Sequence, residues 1–247
     1  MFASDNVKKY QVCVTFEGVC SRYSLLQCVL SSGLVVEATP TNAYSDLFWA
    51  LRGGGNSFCI VTRFDLKPVS SSEVWVGIAQ FDQSQSAGYL DGVYNFGKYG
   101  APKDAKAAII PTILTFPSQN LTVYAAAKFY DSLVDSPAAF ENFTAPKLTP
   151  VADSYAQQPL SDYIASTDAL QPLGLRQDFR TLSSMVDRRA VQLIHDTFVS
   201  TVNSKLSTVA NLQASITFQP VTKDFLSHSA KTGGNPQGVD ISKAPFF

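Results

Sequence analysis

The chain has 247 residues, 45% of them hydrophobic and 16% charged, with a formal net charge of −1 at neutral pH. This balance supports a core sufficient for one large or two modest domains, and it argues against nucleic-acid binding because Lys and Arg form no basic stripe. No apolar run reaches the roughly 18 residues of a membrane-spanning helix, so none is expected.

The first residues, Met1–Val12, are polar and lack the basic start and apolar stretch of a secretory leader. A strand is expected from Tyr10 onward and another over Leu34–Ala38, with Ser31-Ser32-Gly33 as the turn before the second. Asp46–Phe64 reads DLFWALRGGGNSFCIVTRF. A short helix over about Ser45–Leu51 meets Gly53, Gly54 and Gly55, and a β-branched run begins the strand Ile60–Leu66. Adjacent glycines mark a backbone that takes positive φ or lies close to another group. Pro68 and the serines that follow it read as a boundary.

Beyond the boundary, Val74–Phe81 is expected as a strand. Ser86–Tyr99 reads as a helix with a stripe of Tyr89, Val93 and Phe96. Ala107–Phe116 and Leu121–Tyr130 read as a hairpin joined by Pro117–Asn120. Residues 134–180 are rich in loop formers. Ser184 to Asp187 has capping-box spacing, which places a helix start at Ser184, with Val186, Ala190, Leu193, Ile194, Phe198 and Val202 recurring at helical intervals. Leu212–Gln219 alternates as a half-buried strand. Hairpin strands with helices between them predict an α+β fold, an antiparallel sheet covered by helices on one side.

These motifs together resemble the vanillyl-alcohol-oxidase-type flavoproteins with a PCMH-type FAD-binding domain, in particular fungal enzymes like the berberine-bridge enzyme. Asp46–Phe64 is similar to their D-L-F-W-A-L-[RK]-G-G-G-G-N-F-G-I-V-T-R-F, with Ser57 and Cys59 departing from it. Ala3-Ser4-Asp5-Asn6-Val7 is similar to their A-x-D-N-V. Lys231–Gly238 looks like a loop of their substrate domain. The resemblance implies that residues 1–69 are the C-terminal portion of the FAD-binding domain and 70–247 an incomplete substrate domain whose uncovered face roofs the flavin. It also implies truncation at both ends, because the family's pyrophosphate loop and covalent flavin tethers precede the first matching residue.

The match breaks at Cys13 and resumes at Val29. Joining Val12 to Val29 restores the family text, so the 16 residues Cys13–Cys28 read as a translated intron or, alternatively, a natural loop insertion. Such an insert would expose Val14, Phe16, Leu25 and Leu26. It also holds three of the four cysteines, Cys13, Cys20 and Cys28, whose spacing to each other and to Cys59 fits no metal site.

The resemblance implies FAD as cofactor, with Gly54, Gly55, Asn56, Ile60 and Val61 near it. It implies hydride transfer from an alcohol-type small molecule to FAD and then to oxygen; a catalytically inactive fragment that does not retain FAD is the alternative. Substrate-face candidates are Gln213, Ser215, Thr217 and Gln219 on one strand and Tyr124, with Lys128 and Tyr130, on another. A Tyr, Asp or Glu could act as base, and no residue is singled out. His195 reads as a core or boundary histidine and His228 as exposed in a loop. Two N-glycosylation sequons, Asn120-Leu121-Thr122 and Asn142-Phe143-Thr144, fit a secreted protein, as full-length relatives often are.

Overall fold

A computed structural model describes residues 23–55, 57–66, 73–168, 174, 176–231, 233, 234 and 236–247. The chain forms two compact units, one from Met1–Ser70 with Lys223–Ser242, the other from Ser71–Thr222 with Lys243–Phe247. The segment 223–242 therefore groups with the N-terminal residues and not with the rest of 70–247.

In the first unit, β1 (Tyr23–Val29) lies between β2 (Val35–Ala38) and β3 (Ile60–Leu66), all antiparallel. The expected turn forms: Leu30 N–H donates to Leu34 O at 2.9 Å, and Gly33 takes φ 82°, a conformation that suits glycine. Tyr23, Leu26 and Cys28 of β1 pack with Val36, Ala38 and, from helix α1 (Ser45–Leu51), Phe48 and Leu51. This corrects the exposure expected of the insert. Leu26 is 1% exposed, and the central strand is built from the very residues read as inserted. Strand formation from Tyr10, and Val14 and Phe16, fall outside the described residues.

The second unit is an antiparallel sheet in the order β7-β4-β6-β5-β9, from β4 (Val74–Phe81), β5 (Ala107–Phe116), β6 (Leu121–Tyr130), β7 (Ala152–Asp153) and β9 (Ala214–Thr217); β8 (Ala156–Gln158) also pairs with β4. Helix α2 (Ser86–Asn95) continues into a π turn over Phe96–Gly100, so the helix expected to Tyr99 changes its winding partway. The stripe of Tyr89, Val93 and Phe96 is buried as expected. It packs on Ile109, Ile113, Tyr124 and Ala126 of the sheet and on Phe140 and Phe143 of a 3-10 segment.

Helix α4 (Arg188–Lys205) starts later than Ser184. Asp187 is its N-cap, accepting from the Arg189 and Ala190 amides at 3.0 Å. Ser184 is instead held in extended backbone by reciprocal bonds with Phe247, at 2.9 and 2.8 Å. β9 is shorter than the alternation over Leu212–Gln219 suggests. Two helices were not anticipated, α3 (Leu160–Asp168) and α5 (Lys223–Lys231). His228 lies in α5, half-buried, not in an exposed loop.

Alternation along β5 and β6 gives the sheet two unlike faces. Ala107, Ile109, Ile113, Thr115 and, across the register, Tyr124, Ala126, Lys128 and Tyr130 lie on the helix-covered face. The opposite face carries Ile110, Thr112, Leu114, Val123, Ala125, Ala127, Ser215 and Thr217. Helix α3 packs against β4, where Val74 and Val76 are buried. Elsewhere this face is open, with Ile110 46% exposed.

Candidate functional site

In the first unit the site is a turn and the loop that docks beside it. Helix α1 ends where the Arg52 and Gly54 amides donate to the carbonyls of Trp49 (3.2 Å) and Ala50 (2.9 Å). Gly53 and Gly55 take φ 145° and 61°. A Cβ on Gly54 would sit 2.4 Å from the Phe58 ring and 2.5 Å from the Ala50 carbonyl. The turn's own geometry thus requires glycine at all three positions, by backbone conformation at two and by close approach at the third.

Trp49 Nε1 donates to Gly233 O at 3.0 Å, and Arg52 Nη2 to Gly234 O at 2.9 Å. Arg52 is buried, with its guanidinium over the Phe48 ring at 5.4 Å. Gly233 and Gly234 also take positive φ, 94° and 72°. Two glycine-rich segments distant in sequence therefore meet on α1. The sequence reading singled out each segment but not Trp49 or Arg52, which join them; their signal is the Trp and Arg that bracket Ala50-Leu51 just before the glycines.

Of the residues expected near a cofactor, Gly54 and Gly55 lie in the turn, and Ile60 and Val61 open β3. Ile60 is 72% exposed, while Val61 packs against the core. Asn56 lies outside the described residues. In chemistry the described members are compatible with part of a dinucleotide site, with backbone free of side chains at Gly53–Gly55 and an exposed apolar side chain at Ile60.

In the second unit, Ser215 and Thr217 are exposed on the open sheet face, and Thr217 Oγ1 lies 3.0 Å from Thr112 Oγ1. Gln213 and Gln219 are exposed and flank β9. Among the described strand residues on this face, none carries Asp, Glu, Lys, Arg or His.

Tyr124 belongs to the other face, which corrects its reading as a substrate-face residue. It is 2% exposed, and its hydroxyl lies 2.8 Å from His195 Nε2. His195 Nδ1 is 2.8 Å from Asp196 Oδ1, which also accepts from Gln192 at 2.9 Å. Burial raises the Tyr124 phenol, and the hydrogen bond from His195 is the main cause lowering Asp196. Lys128, 2% exposed, donates to Asp153 at 3.0 Å and sits 4.4 Å from the Tyr155 ring centre. Tyr130 donates to Asp104 at 3.1 Å. All three side chains have a partner within the helix-covered layer, and His195 is the core histidine expected.

No protein-family model matches the chain. It is 29% identical over 259 residues to a FAD-dependent monooxygenase of Fusarium proliferatum, covering 99% of this chain and 46% of that protein. It is 31% identical over 225 residues to a FAD-dependent monooxygenase of Penicillium roqueforti, covering 86% and 42%. The chain thus spans about half the length of the curated relatives it matches. Among solved structures, a variant of the Physcomitrella patens BBE-like 1 protein aligns with TM-score 0.55 at 18% identity, over 81% of this chain and 44% of that one. A chitooligosaccharide oxidase aligns with TM-score 0.52 at 15% identity, over 81% and 45%. The glycine turn, the helix-backed antiparallel sheet and these similarities agree: the chain is similar to about half of these fungal FAD-dependent enzymes, and its fold is that of the corresponding part of the berberine-bridge-enzyme-like flavoproteins.

Proposed function

We propose that this chain contributes part of the FAD site and the substrate-facing sheet of an oxidoreductase acting on a neutral, alcohol-type small molecule. The open sheet face carries the reading. Its side chains are mainly apolar, with hydroxyls at Thr112, Ser215 and Thr217 and an exposed amide at Gln80, and no described strand residue there offers a charge to a charged substrate. A substrate lying on this face meets apolar contact and a few hydroxyl partners that orient it.

FAD, when bound, supplies a two-electron acceptor for hydride, with oxygen as the final acceptor. The chain's own residues position and shield. Gly54, Gly55, Ile60 and Val61, together with Asn56 from the sequence, would hold the cofactor, and Trp49 and Arg52 hold the second glycine loop on α1. Thr217, Gln213 and Gln219 line the substrate side. The base that takes the alcohol proton comes from outside the strand residues of the open face, since none of them titrates near neutral pH.

The test is the visible spectrum of the purified chain after incubation with FAD and gel filtration. Flavin that co-elutes supports the reading, and neutral alcohols should then bleach it anaerobically while charged analogues do not. A colourless chain shows that it does not retain FAD and favours the inactive reading.

A further inference from the structure

We propose that Asn120 carries an N-linked glycan in a chain that enters the secretory compartment, and that Asn142, with the same Asn-X-Thr pattern, stays bare in the folded protein. In this modification a new bond joins Asn120 Nδ2 to C1 of the first sugar. The bond from C1 to the diphosphate of a lipid-linked oligosaccharide breaks, an amide proton is lost, and the lipid diphosphate leaves; nothing is oxidised or reduced.

The two sequons occupy different ground. Asn120 closes the 3-10 turn Pro117–Gln119 at the tip of the β5–β6 hairpin, in the left-handed conformation (φ 49°, ψ 39°). It is exposed, as are Ser118 and Gln119 before it. A bulky, hydrated group on its amide projects from a hairpin end, where it displaces no packed atom and covers Leu121, 43% exposed. Asn142 is half-buried in the 3-10 segment Ala138–Phe143. Its Oδ1 accepts from Lys147 at 2.9 Å, and its carbonyl faces Gly92 so closely that a Cβ there would lie 3.0 Å away. The next residue, Phe143, is fully buried, edge-on to Tyr89 at 5.6 Å. A sugar on Asn142 has to share the cleft bounded by Asn95, Tyr99 and Lys103.

The structure also dates the event. Thr122, the third member of the triplet, is 5% exposed, with its hydroxyl 3.4 Å from that of Thr115 across the ladder. The transferring enzyme reads that hydroxyl, so transfer precedes closure of the hairpin; a chain modified at Asn142 in the same interval cannot close the packed segment around Phe143 and is lost from the folded, secreted pool, where Asn142 is therefore bare.

The whole chain, secreted from yeast behind a cleavable leader, should carry one endoglycosidase-sensitive glycan. Release in heavy-oxygen water followed by peptide mass spectrometry should mark residue 120. Asn120→Asp, which keeps the tolerance for the left-handed turn, should abolish the shift, and Asn142→Asp should leave it. A secreted chain without a glycan, or with residue 142 marked, overturns the proposal. If the chain is retained in the cell, the same mapping on the extracted protein decides it, and an empty Asn120 there overturns it. Unglycosylated chain purified folded from bacteria should resist purified oligosaccharyltransferase and lipid-linked donor; efficient modification of that native chain overturns the timing.

Discussion

The Tyr124 hydroxyl and His195 Nε2 lie 2.8 Å apart, joining the centre of β6 to the buried side of α4. Tyr124→Phe leaves the ring in place against Tyr89 but removes the partner of a buried imidazole nitrogen. A buried polar group left without its bond costs about 1–3 kcal/mol. Urea unfolding should show a loss of that size. An unchanged midpoint would mean that the pair does not hold the helix to the sheet.

The buried Lys128 ammonium gives an asymmetric prediction. Asp153→Asn leaves that charge without its counter-ion, whereas Lys128→Met removes the charge and keeps volume under the Tyr155 ring. Stripping one partner from a buried pair is the more harmful change, and with Asp153 side chain 31% exposed the cost is discounted to about 1–3 kcal/mol. Denaturant midpoints should therefore rank Asp153→Asn below Lys128→Met, and the opposite order would contradict the arrangement.

Gly54 and Gly33 separate two reasons for a glycine. Gly33→Ala meets open space but is asked for φ 82°, a strain of about 1–2 kcal/mol. Gly54→Ala meets the Phe58 ring and the Ala50 carbonyl, an overpacking cost of about 1–3 kcal/mol. Pairing Gly54→Ala with Phe58→Ala should recover part of the Gly54 loss, while Gly33→Ala should be indifferent to Phe58. Additivity in both pairs would refute the close approach.

Cys59 sets a pH dependence. Burial, with the Cys28 thiol beside it, raises Cys59 from 9.0 to about 12. The unfolded chain ionises this thiol near its ordinary value while the folded chain keeps its proton. Its contribution to stability is therefore complete below about pH 9 and is lost as pH rises toward about 12. In the native chain the thiolate is scarcer by roughly a thousandfold at mildly alkaline pH. Iodoacetamide labelling read by peptide mass spectrometry should find Cys59 protected until denaturant is added, and rapid labelling of the folded protein would refute the burial.

Removing Cys13–Cys28 tests the insert directly. The deletion brings Val7, Tyr10 and Val12 to the places that Tyr23, Leu26 and Cys28 hold in β1, each inward position remaining apolar. The shortened chain should keep its β-sheet circular dichroism and a cooperative melt, and transcripts lacking the segment should be found. A shortened chain that does not fold, with transcripts that all retain the segment, would establish Tyr23–Cys28 as native strand.

Much of this architecture was legible. The glycines after α1 announced a tight turn, and the β5–β6 hairpin with its turn at Pro117–Asn120 followed from alternation and composition alone. What misled was β6. Its polar residues, Tyr124, Lys128 and Tyr130, look like a wet face. The structure inverts this, because His195, Asp153 and Asp104 arrive from distant segments to satisfy each polar group, and no local pattern announces such partners. The start of α4 was misread for a similar reason: a strand-like contact with Phe247 competes for Ser184. Helix α5 was missed because its Ser and Lys content and the glycines just after it read as a loop, although it is a nine-residue helix.

The contacts of Trp49 and Arg52 span 184 and 182 residues of sequence. During synthesis, therefore, α1 leaves the ribosome long before the carbonyls of Gly233 and Gly234 exist. The first unit is begun first and completed only after the whole six-stranded sheet has been made, with Lys243–Phe247 of the second unit alone still to follow. Until then the Arg52 guanidinium and the Trp49 indole wait in water, and a ribosome that stalls short of residue 233 releases a first unit that cannot close.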